Sequence, residues 1–132
     1  MGIFNLFDLF SLGSDKGGFV KLETERKIQA DWSKIDQFIS SRQPSQLKQG
    51  LIMADRSLDA ALKDLVDGQS MGERLKNSKN YFDPVTYNKV WEAHRIRNNM
   101  DHEPDYDPPY YVVGDAIANL KMGLIRLKVR VY

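Results

Sequence analysis

A chain of 132 residues with 42% hydrophobic and 28% charged side chains has the size and composition of one globular domain, able to bury a core without staples. It contains no cysteine, which excludes a disulfide framework, thiol chemistry and Cys-based metal sites. The net charge of +1 gives no chain-wide attraction for nucleic acid, so any contact with RNA has to come from a local patch of cations.

Residues 1–12, MGIFNLFDLFSL, are apolar at Ile3, Phe4, Leu6, Phe7, Leu9 and Phe10. The stretch lacks the basic start of a signal peptide and is shorter than the roughly 20 residues of a membrane span. Leu6 stands where a myristoylation signal has Ser or Thr. With no basic residues on its polar face, a membrane anchor is the poorer reading, and a short helix packing on the domain or a partner subunit is the better one. Residues 13–18, GSDKGG, read as a hinge that divides an N-terminal segment (1–18) from the packed domain (19–132). A cytoplasmic location is expected.

Five helical stretches follow. Over residues 20–41, Ile28, Trp32, Ile35 and Ile39 are spaced four, three and four, the period of a helix with one buried face. Ser45 is placed to cap a second helix with its stripe at Leu47, Leu51, Ala54, Leu58, Ala61 and Leu65, and the two should form an antiparallel hairpin. Ser70 and Glu73 have capping-box spacing, which predicts a short helix to about Ser78 with Met71 and Leu75 turned inward. Asp83-Pro84 starts a longer helix that Pro104 ends. Asp107-Pro108 is placed to start the last, whose stripe runs Val113, Ile117, Leu120, Leu124, Leu127 and Val131. Opposite that stripe, Lys121, Arg126, Lys128 and Arg130 read as a solvated basic face. The fold class is therefore all-α, an antiparallel bundle of four to five helices with a short N-terminal helical extension.

Polarity is most concentrated in residues 91–104, WEAHRIRNNMDHEP. On that helix the stripe Tyr87, Val90 or Trp91, and His94 continues into Arg97, Asn98 and Asp101, turning from apolar to ionic halfway along. Ionisable groups on a core-facing stripe are costly unless they are paired or lie at a solvated cleft. The second half of the helix is thus expected to line a groove or a subunit interface. Asn98 and His102 are four apart and share a face, whereas Arg97 and His102, five apart, point about 140° away from each other. Either the helix deforms near its end, or two copies of it face one another and supply the groups jointly. The bland alternative is an ordinary Arg97–Asp101 pair, a helix-end hydrogen bond between Asn98 and His102, and a satisfied core histidine at His94. The two histidines are eight residues apart with no carboxylate at metal-site spacing, so neither a metal nor a cofactor is expected.

The run Arg97-Asn98-Asn99-Met100-Asp101-His102 resembles the R-x(4-6)-H signature of the HEPN superfamily, with a polar residue directly after the arginine in that family's favoured form. The longer string W-E-A-H-R-I-R-N to H-E-P is similar to small bacterial HEPN-like proteins of unassigned function. Their upstream pattern is echoed in Trp32-Ser33-Lys34-Ile35, in residues 54–59 (ADRSLD) and in residues 71–76 (MGERLK), so the resemblance covers about residues 29–127. It implies a HEPN-like bundle, a homodimer and a metal-independent endoribonuclease. His102 would take the proton from a ribose 2′-OH. Arg97 would bind the scissile phosphate, and Asn98 would orient the histidine or the ribose. The product would be a 2′,3′-cyclic phosphate. His94, Asp101 and Glu92 are the supporting candidates. The resemblance also implies a toxin–antitoxin or defence setting, with an antitoxin or nucleotidyltransferase as partner. The tyrosine that such transferases modify, two residues after the histidine, is here Pro104, which speaks against that regulation, although Tyr106 is close by. A catalytically silent HEPN-like dimerisation or ligand-binding module is the alternative.

Overall fold

A computed structural model describes residues 15–131, and the helical extension expected over residues 1–12 lies outside them. The described chain is a helical bundle of five helices: α1 (Leu22–Ser41), α2 (Pro44–Leu65), α3 (Met71–Asn77), α4 (Pro84–His102) and α5 (Tyr110–Arg126), with one 3-10 turn at Lys79–Tyr81. Helix α2 is central, packing against α1 on one side and α5 on the other, while α5 also packs on α4. The stripes read from the sequence meet there. Leu51, Ala54, Leu58, Ala61, Leu62 and Leu65 of α2 are buried against Ile28, Trp32 and Ile35 of α1 and Val113, Ile117, Leu120 and Leu124 of α5. The Trp32 indole N–H donates to Ser57 Oγ (2.9 Å) and that hydroxyl donates to the Ala54 carbonyl (2.7 Å), so the buried polar atoms between α1 and α2 are satisfied. Where α2, α4 and α5 converge, a Cβ on Gly123 would lie 2.8 Å from Val90 Cγ2 and 3.4 Å from Leu58 Cδ1. The glycine is what lets α5 come so close.

The helix starts show how local chemistry sets the ends. Ser70 Oγ accepts from the Glu73 N–H, and the Glu73 carboxylate reaches back to the Gln69 N–H, so α3 opens on a near capping box. Asp83 caps α4 by accepting from the backbone N–H and hydroxyl of Thr86, and Arg126 of α5 donates to the same carboxylate at 3.0 Å. Those partners, the Thr86 N–H first, hold the Asp83 carboxyl well below the usual carboxylate range.

Three ends differ from the sequence expectation. Helix α2 begins one residue before Ser45, with Pro44 in its first turn and Arg42 in the left-handed region (φ 57°) closing α1. Helix α5 begins at Tyr110 and not at Asp107-Pro108, because Pro109 keeps Pro108 out of the helical region; Asp107 pairs instead with Lys48 of α2 at 3.0 Å. The last helix also stops at Arg126, short of Val131. Lys128 takes a left-handed conformation (φ 67°), the Val129 N–H donates to the Leu124 carbonyl, and the Lys128 N–H donates to that of Ile125, the bonds of a Schellman stop. Leu127, Val129 and Val131 then bury alternate side chains. The expected basic face is accordingly dispersed: Arg130 is tied to Glu25 of α1, Arg126 to Asp83, and Lys121 lies over the Trp32 ring.

At the end of the bundle where α2 stops, the chain is pinned before α1 begins. Asp15 bridges to Val66, the Lys16 N–H donates to the Leu65 carbonyl, and the Tyr81 hydroxyl donates to Asp15 at 2.7 Å. Gly17 and Gly18, both at positive φ, turn the chain from there into α1. Among the described residues no helix is long and apolar enough to cross a membrane.

Candidate functional site

Helix α4 carries the sequence-predicted residues, and its apolar half is a ladder of rings. Phe82, Tyr87, Trp91 and His94 follow one another at centroid separations of 6.1, 6.4 and 6.2 Å. His94 ends the ladder and begins the ionic half. The group that organises that half is Asp55 of α2, a carboxylate 3% exposed and directly opposite α4. His94 Nδ1 lies 3.0 and 3.2 Å from its two oxygens, and Arg97 Nε lies 3.7 Å from Oδ2. An ionised carboxylate can only accept, so Nδ1 carries the proton and Nε2 is left to accept from the Asn98 amide nitrogen at 3.3 Å. Asp55, His94 and Asn98 thus form a continuous relay across two helices.

Arg97 sits in the same cluster. Its Nη1 is 2.8 Å from Asp101 Oδ2, one turn on, while Nε is buried and without a hydrogen-bond partner. The guanidinium is therefore held between two carboxylates, with 23% of the side chain still exposed. Burying a donor that close to Asp55 without bonding it costs about 1–3 kcal/mol. The cost is tolerable because the neighbouring charge is of opposite sign.

The structure brings together Arg97, Asn98, His94 and Asp101. It does not bring His102 to them. His102 is the last residue of α4, exposed and facing away from Arg97, as straight-helix geometry requires. The helix does not deform to close the gap, since its end is regular, with the Glu103 N–H donating to the Asn99 carbonyl at 2.9 Å. Glu92 lies on the outer face and pairs with Arg95. Among the described residues no group of three or more His, Asp or Glu side chains is placed to hold a metal ion.

Asp55 was not among the residues singled out from the sequence. A signal for it exists: it is four residues after Leu51 and three before Leu58, so it falls inside the buried face of α2. An acid at such a position calls for a cationic or hydrogen-bonding partner from another helix. Comparison of the chain with family models, with curated proteins and with solved structures finds no match in any of the three.

Proposed function

We propose that the chain is a metal-independent endoribonuclease of HEPN type, whose site is completed when two copies bring their α4 ends together as a homodimer. The observation that carries this reading is the clamp on Arg97. A guanidinium packed against Asp55 and Asp101 is held in one orientation and still partly exposed, which is how a phosphate-binding arginine is preorganised. His102, exposed at the end of the same helix, is accessible to a neighbouring copy in a way that it is not to its own Arg97. In the joint site Arg97 receives charge building on the scissile phosphate, and the partner's His102 takes the 2′-OH proton as that oxygen attacks phosphorus. The 5′-oxygen of the following nucleotide leaves, taking up a proton to become a hydroxyl, and a 2′,3′-cyclic phosphate remains. Asn98 orients the reacting groups, with His94 and Asp55 holding it in place. DNA lacks the attacking hydroxyl and is left intact. A cytoplasmic setting, and a partner that restrains the nuclease, go with this reading.

The test is incubation of the purified protein with structured and single-stranded RNA in EDTA. The expected result is cleavage leaving cyclic phosphate ends, lost in Arg97→Ala and in His102→Ala while folding and dimerisation persist. Cleavage that survives in either variant would remove the assignment. A second reading is favoured by a specific observation: with His94 neutral, Asp55 and Asp101 outweigh Arg97, so the cluster carries no net positive charge with which to draw in a phosphate. On that reading the bundle is a catalytically silent dimerisation or ligand-binding module, and wild type leaves every RNA uncut.

A further inference from the structure

The chain of contacts from Asp55 through His94 to Asn98 has a direction. Asp55, ionised and buried, can only accept, so the proton of His94 is on Nδ1, 3.0 Å from Oδ2. Nε2 is left with a lone pair, and what faces it at 3.3 Å is the nitrogen end of the Asn98 amide. The imidazole is held in that orientation by its surroundings, with 11% of its side chain exposed and Trp91 edge-on to it at 6.2 Å. An amide whose nitrogen is engaged inside presents its oxygen outside. Among the described residues Asn98 Oδ1 accepts from no group, and the one buried side-chain polar atom left without a partner is Arg97 Nε. Asn98 Oδ1 therefore lies open to solvent as an acceptor.

Arg97 offers the opposite polarity beside it. The two are successive residues, and both side chains are anchored on the Asp55–His94 pair, Arg97 Nε at 3.7 Å from Asp55 and the Asn98 nitrogen on His94. A donor and an acceptor are thus presented from one small frame. We infer that this pair reads a ribose by its free hydroxyl: Arg97 holds a 3′-phosphate, as in the proposed reaction on which this inference rests, and Asn98 Oδ1 accepts from the adjacent 2′-OH. The ligand class is a ribonucleoside 3′-phosphate unit. Selection comes from hydrogen-bond direction and not from charge. A 2′-deoxy sugar has nothing to donate, and a 2′-methoxy group can only accept, so each leaves the amide oxygen unpaired. An outward-facing amide nitrogen would instead favour the methoxy oxygen. The amide also turns the hydroxyl hydrogen away from phosphorus. That hydrogen passes to the partner's His102 as the bond from the 2′-oxygen to phosphorus forms and the bond to the 5′-oxygen breaks. His94 and Asp55 are positioning residues, which act by fixing the end of Asn98 that meets the ligand.

The experiment is an NMR titration of the whole chain with uridine 3′-phosphate and its 2′-deoxy and 2′-O-methyl forms, none of which has a following nucleotide to lose. The hydroxyl form is expected to bind about tenfold more tightly than either analogue. Asn98→Ala should abolish that advantage. In His94→Ala the amide is free to turn its nitrogen outward, so the 2′-O-methyl form should gain on the deoxy form, whereas simple loss of structure would weaken all three together. Should that variant not fold, the wild type carries its own check: the imidazole nitrogen spectrum of His94 should be that of the Nδ1–H tautomer near neutral pH. A 2′-O-methyl form that binds wild type as well as the hydroxyl form, an advantage that persists in Asn98→Ala, or a His94 protonated at Nε2 would overturn the inference. So would binding of none of the three. Equal binding of all three that is lost in Arg97→Ala would overturn it and leave Arg97 as a phosphate group. Selectivity for the hydroxyl form in a chain that cuts no RNA would support it and remove the nuclease.

Discussion

Asp55→Ala removes the carboxylate that accepts from His94 and faces the Arg97 guanidinium, and leaves both side chains facing a void on the inner side of α4. Removing one partner of a fully buried ion pair costs about 3–5 kcal/mol. Here the cost is smaller, because Arg97 is 23% exposed and keeps Asp101. About 2–3 kcal/mol remains, chiefly the loss of the two short contacts to His94 Nδ1 at 3.0 and 3.2 Å and of the opposite charge 3.7 Å from the unbonded Arg97 Nε. For a domain of this length, each kcal/mol moves the melting temperature by about 3–5 °C, so Asp55→Ala should melt roughly 10 °C below wild type. Asp55→Asn keeps an oxygen acceptor for His94 and should lose about 1 kcal/mol. The assay is thermal unfolding by circular dichroism at pH 7, repeated with His94→Ala and the double variant. The two single losses should exceed the combined one by about 1 kcal/mol, since the first change removes the partner of the second. A melting temperature for Asp55→Ala within about 2 °C of wild type, or strict additivity with His94→Ala, would show that Asp55 does not organise the cluster.

Other consequences follow from the same structure. Gly123→Ala puts a methyl 2.8 Å from Val90 Cγ2, so it should cost about 1–3 kcal/mol in urea denaturation, and Val90→Ala in the same chain should recover part of the loss. Lys128→Gly at the left-handed C-terminal position of α5 should raise stability by about 0.5–1 kcal/mol, because a side chain there works against its own backbone. Glu25 is held below its ordinary pKa first by the Arg130 side chain and then by the Arg130 N–H. Its contribution is therefore present above the unfolded carboxylate value near 4.5 and is lost as pH falls through the lowered folded value, so Glu25→Gln should flatten the acid limb of the stability curve. Tyr81 is pushed up to about 12 by burial and by its bond to Asp15. Stability from that hydroxyl is complete below pH 10 and falls away as pH rises towards 12, a loss that Tyr81→Phe should abolish in alkaline melts.

Most of the bundle could be read from the chain because its buried positions recur at helical spacing: Leu51, Ala54, Leu58, Ala61 and Leu65 announce α2, and Asp83-Pro84 announces α4. The stripe of α1 was legible to its last member, yet Ile39 runs past the bundle and is left partly exposed, since periodicity marks a face and not what covers it. At the C-terminus two periods competed. Leu124, Leu127 and Val131 fit a helix, but Leu127, Val129 and Val131 also alternate like an extended strap, and the contact that selects the strap, Arg130 with Glu25, is 105 residues away in sequence. The site was half visible. Arg97, Asn98 and Asp101 are local to one helix and could be placed by counting, whereas Asp55 acts across helices and only the tertiary packing shows which acid faces which cation. His102 was placed by the same counting on a face that its own Arg97 does not reach, which is why the proposal requires a second copy.

The most direct measurement of that requirement mixes two inactive chains, Arg97→Ala and His102→Ala, after subunit exchange, and follows RNA cleavage in EDTA. A two-fold site built in trans leaves one intact Arg97 and His102 pair in each heterodimer, so about a quarter of wild-type activity should return. A mixture as inactive as its components, from a wild type that does cut, would contradict the shared site.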